Sequence, residues 1–134
     1  MQLQRIAPLF TTEDLDATKA FYTTHLGFAV QVEFDGYLCL RHPASEHLEL
    51  SFMPPGPATE TCAAAPAASG DGLYYVLLVD DVDAEHERLV QAGVSIQDAP
   101  ADMPWGDRRM TLKDPAGVTL YVCHPIEVPA ETAS

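Results

Sequence analysis

The chain has 134 residues, a hydrophobic fraction of 47% and a formal net charge of −13, a size that suits one domain or two small modules. Because so acidic a protein is repelled by phosphate backbones, no nucleic-acid partner is predicted. No apolar run is long enough to cross a bilayer, so no membrane partner is predicted either. The start of the chain lacks the pattern of a leader peptide. Three widely spaced cysteines, without a CxxC pair, predict reduced thiols in a cytoplasmic protein.

The first half of the sequence predicts a strand, a helix and three further strands. The first strand is expected at about residues 6–11, and the helix follows the acidic pair Glu13-Asp14 and ends at Gly27. Acidic residues suit a helix start, and glycine suits a helix end. Three β-rich runs follow, at roughly residues 29–34, 37–41 and 47–52.

The second half repeats this order, which makes an internal repeat the main organising feature of the chain. A strand is expected at about residues 73–79, and a helix follows Asp80-Asp81 and ends at Gly93. The three later strands are expected at roughly residues 95–97, 108–113 and 118–123. The turn before the last of them, Asp114-Pro115-Ala116-Gly117, has the residue types of a tight turn.

These elements divide the chain into four predicted segments. A first βαβββ module covers residues 1–53, a Pro- and Ala-rich linker covers 54–70, a second βαβββ module covers 71–126, and a frayed tail covers 127–134. One helix can cover only one face of each sheet. We therefore expect two such modules to form a concave mixed sheet with a groove, and a groove is a natural ligand site.

Two motifs, taken in order, resemble signatures of the vicinal oxygen chelate superfamily. The first is Asp14-Leu15 followed by Phe21-Tyr22 and Leu26-Gly27-Phe28. The second is Pro104-Trp105-Gly106-Asp107-Arg108 followed by the Asp114 turn, and it resembles a pattern common in drug-binding members. That superfamily holds glyoxalase I, extradiol dioxygenases, fosfomycin-resistance enzymes and bleomycin-resistance proteins. The resemblance implies an α+β fold of two βαβββ modules and a homodimer that exchanges modules.

The resemblance also implies four metal-ligand positions, which fall at Ala7, Glu49, Tyr74 and Tyr121. Only Glu49 has the chemistry of a divalent-metal ligand, whereas a catalytic site generally has three protein ligands and an open position. Moving the first or third position by one residue brings in no histidine. The sequence therefore predicts no metal and no cofactor.

His47 and Glu49 stand two residues apart on a predicted strand, so both are expected on one face. They are interpreted as a polar pair that faces the groove. A two-ligand fragment of a metal site and a solvated strand face are the alternatives. The other histidines lie on predicted helices or at strand ends and are expected at the surface.

Aromatic residues are expected to line the groove. Tyr74 and Tyr121 take the place of metal ligands, Trp105 is placed to cover the mouth, and Phe34 and Tyr37 flank a turn. Such a cavity suits a flat, partly apolar molecule, although core packing is the alternative for each ring. The predicted ligand-binding set is His47, Glu49, Tyr74, Trp105, Arg109, Tyr121, Phe34 and Tyr37.

The charged members of this set leave the ligand's charge open. Glu49 and the aromatic faces favour a cationic group, whereas Arg108 or Arg109 could hold an anionic one. For Arg108 the alternative to binding a ligand is a structural role, in which its side chain bonds to backbone carbonyls.

The function expected from the resemblance is metal-free binding and sequestration of an aromatic or cationic small molecule by a cytoplasmic homodimer. A glyoxalase-like lyase or isomerase, or a dioxygenase, is the enzyme alternative, with Glu49 as its candidate catalytic residue. A regulatory or partner-binding module without a small ligand is the third hypothesis.

Overall fold

The computed structural model describes residues 1–4, 6–57 and 72–127. The chain divides into two compact units, Met1–Ser69 and Gly70–Ser134. Most of the predicted linker, and the predicted tail after Glu127, lie outside the described residues. The boundaries of the modules therefore stay predictions.

Each unit has a βαβββ order, which confirms the predicted α+β fold. In the first unit the elements are β1 (Leu9–Thr11), α1 (Leu15–Ala20), a π-helical turn (Phe21–His25), β2 (Ala29–Phe34), β3 (Tyr37–Arg41) and β4 (Glu49–Met53). In the second unit they are β5 (Tyr74–Leu78), α2 (Val82–Gln91), β6 (Asp98–Asp102), β7 (Asp107–Lys113) and β8 (Thr119–Pro125). Within the described part of the chain, no helix is long and apolar enough to span a membrane.

The two sheets have the same topology. Their strand orders are β1-β4-β3-β2 and β5-β8-β7-β6. In each sheet the first and last strands of the module pair in parallel, and the other neighbours are antiparallel. The internal repeat in the sequence therefore corresponds to a repeat of structure.

One face of the first sheet packs against α1 and the π-helical turn. Tyr22 lies at the centre of this core, with its ring centroid 5.4 Å from that of Phe52. Leu38 and Leu40 complete the fully buried cluster. The partly buried residues around it are Phe10, Leu15, Phe21, Leu26, Phe28 and Leu50. These residues alternate along each strand, as expected for a sheet with one covered face.

The start of α2 is held by three polar contacts. Asp81 is the N-cap, and its carboxylate accepts the backbone N–H groups of Asp83 and Ala84, as the acidic pair predicted. His124, on β8, accepts the N–H of Val82 through Nδ1 at 2.9 Å. This histidine was expected only as an exposed residue at a strand end, and the structure instead makes it a helix cap.

Arg108 ties this helix start to the sheet. Its Nε and Nη2 donate to the carboxylate of Asp83 at 2.8 and 3.0 Å, and its Nη1 donates to Asp102 on β6 at 2.9 Å. The predicted backbone partners are thus replaced by two carboxylates. Arg108 is a structural clamp and is not available for a ligand.

Most strands differ from their predicted bounds by a few residues. Three of these differences have a local explanation, at Pro8, His47 and Pro100. Residue 8 is a proline and contributes only its carbonyl, which accepts from Ser51, so β1 starts at Leu9. His47 lies in a turn before β4 and is exposed, so the prediction that it shares a strand face with Glu49 is wrong. The sixth strand lies at 98–102 and not at 95–97. It contains Pro100 and an irregular register, which only an edge strand tolerates.

The Asp114 turn forms as its sequence predicts. Gly117 has a φ of 87°, in the left-handed region that glycine tolerates. The buried Asp114 carboxylate accepts the N–H of Val118 at 2.8 Å and fixes the start of β8.

The Arg108 clamp predicts a pH-dependent contribution to stability. Hydrogen bonding to Arg108 lowers the pKa of Asp83 below its ordinary value of 3.8. A depressed carboxyl pKa stabilises the fold above the unfolded-state pKa, and that contribution disappears as the pH falls through the folded-state value. We expect Arg108→Gln to lower the urea midpoint at pH 6, and the difference from the wild type to shrink below about pH 4.

Lys113→Gln is the matched control, because it removes the same charge from an exposed site on β7. A deficit in Arg108→Gln that is equal at pH 6 and pH 3, or equal to that of Lys113→Gln, would contradict the clamp.

Candidate ligand-binding site

The second sheet has a face that is rich in exposed apolar side chains. On β5 the side chains alternate, and Tyr74, Val76 and Leu78 are 52%, 61% and 74% exposed. Tyr75 and Leu77, between them, are more buried. We call the side of the second sheet that carries Tyr74, Val76 and Leu78 the open face. Exposed large apolar residues in a contiguous patch are typical of binding surfaces.

Four predicted site residues meet on the open face. The rings of Tyr74 and Tyr121 stack, with centroids 5.1 Å apart and planes 14° from parallel. The Cζ of Arg109 lies 3.9 Å from the centroid of Tyr121 and 5.0 Å from that of Trp105. We call Tyr74, Tyr121, Arg109 and Trp105 the aromatic row. Both distances are within the range of a cation–π contact.

The strand register explains why these residues meet. Val76 pairs with Tyr121 between β5 and β8, and Tyr74 stands two residues before Val76, so the two tyrosines are diagonal neighbours on the same face. Arg109 on β7 pairs with Cys123, two residues beyond Tyr121. Diagonal neighbours at this spacing are within reach of aromatic and long side chains.

Trp105 reaches the row from a tight turn before β7. The N–H of Met103 donates to the carbonyl of Asp107 at 2.7 Å, and the N–H of Gly106 donates to the carbonyl of Met103 at 3.1 Å. Gly106 has a φ of 110°, which a residue with a side chain rarely adopts. The Trp105 ring remains 62% exposed, so it is a surface group and does not belong to the core.

The first sheet carries a smaller polar cluster. The Sγ of Cys39 donates to Oε1 of Glu49 at 3.0 Å, and the hydroxyl groups of Tyr37 and Ser51 are 3.1 Å apart. Phe34 and Tyr37 have ring centroids 6.3 Å apart. The structure therefore brings Glu49, Tyr37 and Phe34 of the predicted set into one neighbourhood.

The Cys39 thiol is a poor nucleophile in this setting. Burial, followed by the hydrogen bond to Glu49, raises the pKa of its thiol above the ordinary value. The polar contact of Cys39 was not predicted from the sequence. The signal was present in the alternation of β3, which places Cys39 on the side of Tyr37, opposite Leu38 and Leu40.

His47 lies outside the polar cluster. Its contact is with Glu46, at 3.8 Å, and its side chain is 69% exposed. The sequence could not exclude it, because a strand that starts two residues earlier would place it beside Glu49.

The residues at the four implied metal positions do not fit a divalent ion. Tyr74 and Tyr121 stack on each other, Ala7 has no donor in its side chain, and Glu49 accepts the Cys39 thiol. Within residues 1–4, 6–57 and 72–127, no three His, Cys, Asp or Glu residues cluster in a way that could hold a metal. Divalent sites are generally built from several such donors.

Comparison with known proteins agrees with the motifs in the sequence. The family described as Glyoxalase/Bleomycin resistance protein/Dioxygenase superfamily matches residues 2–122. No curated protein sequence matches the chain.

Solved structures share the fold over nearly the whole chain. A glyoxalase/bleomycin resistance protein/dioxygenase from Nocardioides is 24% identical with a TM-score of 0.78, covering 95% of this chain and 86% of its own. An antibiotic-binding protein from a Streptomyces species is 25% identical with a TM-score of 0.70, covering 93% and 98%. A bleomycin resistance determinant encoded on the transposon Tn5 is 22% identical with a TM-score of 0.66, covering 92% and 98%. With the family match over residues 2–122, the chain belongs to the glyoxalase/bleomycin resistance protein/dioxygenase superfamily.

Proposed function

We propose that this protein binds a small, flat, aromatic molecule against the aromatic row and sequesters it without a chemical step. The observation that carries the proposal is the exposure of two rings, Tyr74 and Trp105, at sites that the sheet and a glycine turn hold in place. Exposed rings on a fixed support offer stacking surfaces at a low entropic cost, because few side-chain rotations are lost on binding.

Two further observations support a binding role. The chain belongs to a superfamily whose described members include resistance proteins. An antibiotic-binding protein from Streptomyces is 25% identical to this chain and has the same fold.

The cytoplasmic location and the homodimer expected from the sequence are part of the proposal. Both remain predictions.

The enzyme alternative has weaker support from the chemistry of Glu49. A general base must reach the proton that it abstracts. Glu49 is only 7% exposed, and its Oε1 accepts the Cys39 thiol. This arrangement favours a structural acceptor over a base that meets a substrate.

Tyr74 should contribute directly to ligand affinity. An aromatic pair is worth about 0.5–1.5 kcal/mol beyond the area that it buries, so we expect Tyr74→Ala to weaken the binding of the neutral probe 2-naphthamide about 2- to 12-fold. Trp105 is the only tryptophan in the chain, and quenching of its emission reports binding. The variant should fold, since half of the Tyr74 side chain is already exposed.

Val90→Ala is the control, because Val90 is an exposed apolar residue on α2, away from the open face. Equal affinities in the two variants, or the absence of saturable quenching in the wild type, would contradict the proposed site.

Metal removal should leave binding unchanged. Because the residues at the implied metal positions do not fit a divalent ion, dialysis against EDTA should change the dissociation constant of 2-naphthamide less than twofold. Isothermal titration before and after dialysis measures this. Loss of binding after EDTA treatment, with recovery on adding Mn²⁺ or Zn²⁺, would show that the site requires a metal.

A further inference from the structure

Two consecutive arginines on β7 have opposite surroundings. Arg108 is saturated by Asp83 and Asp102 on the side of α2. Arg109 points to the open face, since consecutive side chains of a strand lie on opposite faces. There it contacts the rings of Tyr121 and Trp105. In the described part of the chain, no carboxylate forms an ion pair with Arg109.

The hydrogen-bonding capacity of Arg109 is largely unused. Its Nε is buried without a hydrogen-bond partner, and its Nη2 has only the Met103 sulfur at 3.9 Å. A guanidinium has five N–H donors in a planar fork that matches a carboxylate. Buried donors without acceptors cost free energy. A ligand that brings an acceptor would relieve that cost.

The nearest acidic residue on the same strand, Asp107, forms no ion pair with Arg109. Asp107 stands two residues before Arg109 on β7, and the two residues therefore share a strand face. Asp107 lies beside Cys123, whose thiol pKa is raised by burial and, to a smaller extent, by Asp107. Arg109 therefore combines a positive charge, N–H donors without acceptors, and contacts with the rings of Tyr121 and Trp105.

Other cations in the described residues lack this combination. Lys19 and Arg88 pair with Glu33 and Glu85. The half-buried Arg41 also has a buried Nε without a hydrogen-bond partner, but among the described residues no aromatic ring lies under its guanidinium.

We propose that the aromatic ligand carries an anionic group, a carboxylate in the simplest case, and that Arg109 binds it while the ligand's ring lies against Tyr74 or Trp105. The inference rests on the proposed function and narrows its ligand class. It reverses the cationic preference that Glu49 suggested in the sequence. It also assigns a role to Arg109 that Arg108 cannot fill.

The protein's net charge opposes the binding of an anionic ligand. At a formal charge of −13, the long-range field repels anions, although salt screens this beyond about 8–10 Å. A preference for an anion must therefore come from a local group. Hydrogen bonds to charged groups contribute about 1.5–3 kcal/mol, which corresponds to roughly a 10- to 150-fold gain in affinity.

The test compares 2-naphthoate with 2-naphthamide, which have nearly the same shape and differ in charge. Isothermal titration at pH 7 and 0.15 M salt should show that the wild type binds 2-naphthoate at least 10-fold more tightly. Arg109→Gln should abolish this preference, so that the dissociation constants of this variant for 2-naphthoate and 2-naphthamide differ less than about threefold. Arg109→Lys should keep part of the preference, because it retains the charge and loses the planar fork.

Lys113→Gln is the control, because it removes one positive charge from the same strand at an exposed position. It should leave the preference intact. A wild type that binds both probes equally would overturn the anionic assignment and leave the aromatic site standing. A preference that survives in Arg109→Gln would overturn the role of Arg109. Failure of both probes to bind would overturn the proposed function and this inference with it.

Discussion

The structure depends on one constraint. A four-stranded sheet has two faces, and the single helix of each module covers only one of them. In the first unit the helix side takes Tyr22, Leu38, Leu40 and Phe52. In the second unit Leu89 of α2 and Leu120 of β8 are fully buried. The remaining face is not covered by the helix of its own module. On the second sheet it carries stacked rings and a charged group, a combination that suits a ligand better than a folded core.

Because consecutive side chains of a strand lie on opposite faces of the sheet, neighbouring residues of β7 have different roles. Arg108 and Arg109 are neighbours in the chain, yet the first clamps Asp83 at the helix start and the second lies on the ring of Tyr121. A shift of one residue in β7 would exchange their roles. The pairing of Arg109 with Cys123 and of Thr111 with Tyr121 sets that register. The tight turn at Gly106 leads into β7.

The features that the sequence could predict are those set by local chemistry. The acidic N-caps, the turn at Asp114 and the strands at 29–34 and 37–41 follow from residue types and spacing. The repeat made the topology of both modules predictable, because each half had to satisfy the same pattern. The aromatic row was predictable as a set of candidates, since the family resemblance placed Tyr74 and Tyr121 at equivalent positions.

What the sequence could not predict depends on partners that are distant in the chain. The sixth strand has Asp98, Ala99 and Pro100, which carry no strand signal, and it forms because β7 offers an edge. The cap of α2 by His124 joins residues 42 positions apart. The hydrogen bond between Cys39 and Glu49 and the stacking of Arg109 on Tyr121 require side-chain directions, and strand alternation fixes those only after the register is known.

The most direct test of the central claim is to locate the bound probe on the protein. Titration of ¹⁵N-labelled protein with 2-naphthoate, followed by two-dimensional NMR, reports each backbone amide and the indole N–H of Trp105. The account predicts the largest shift changes at Trp105, Arg109 and Tyr121 and at β5 near Tyr74. Changes confined to the polar cluster of Cys39 and Glu49, or no saturable change, would contradict it.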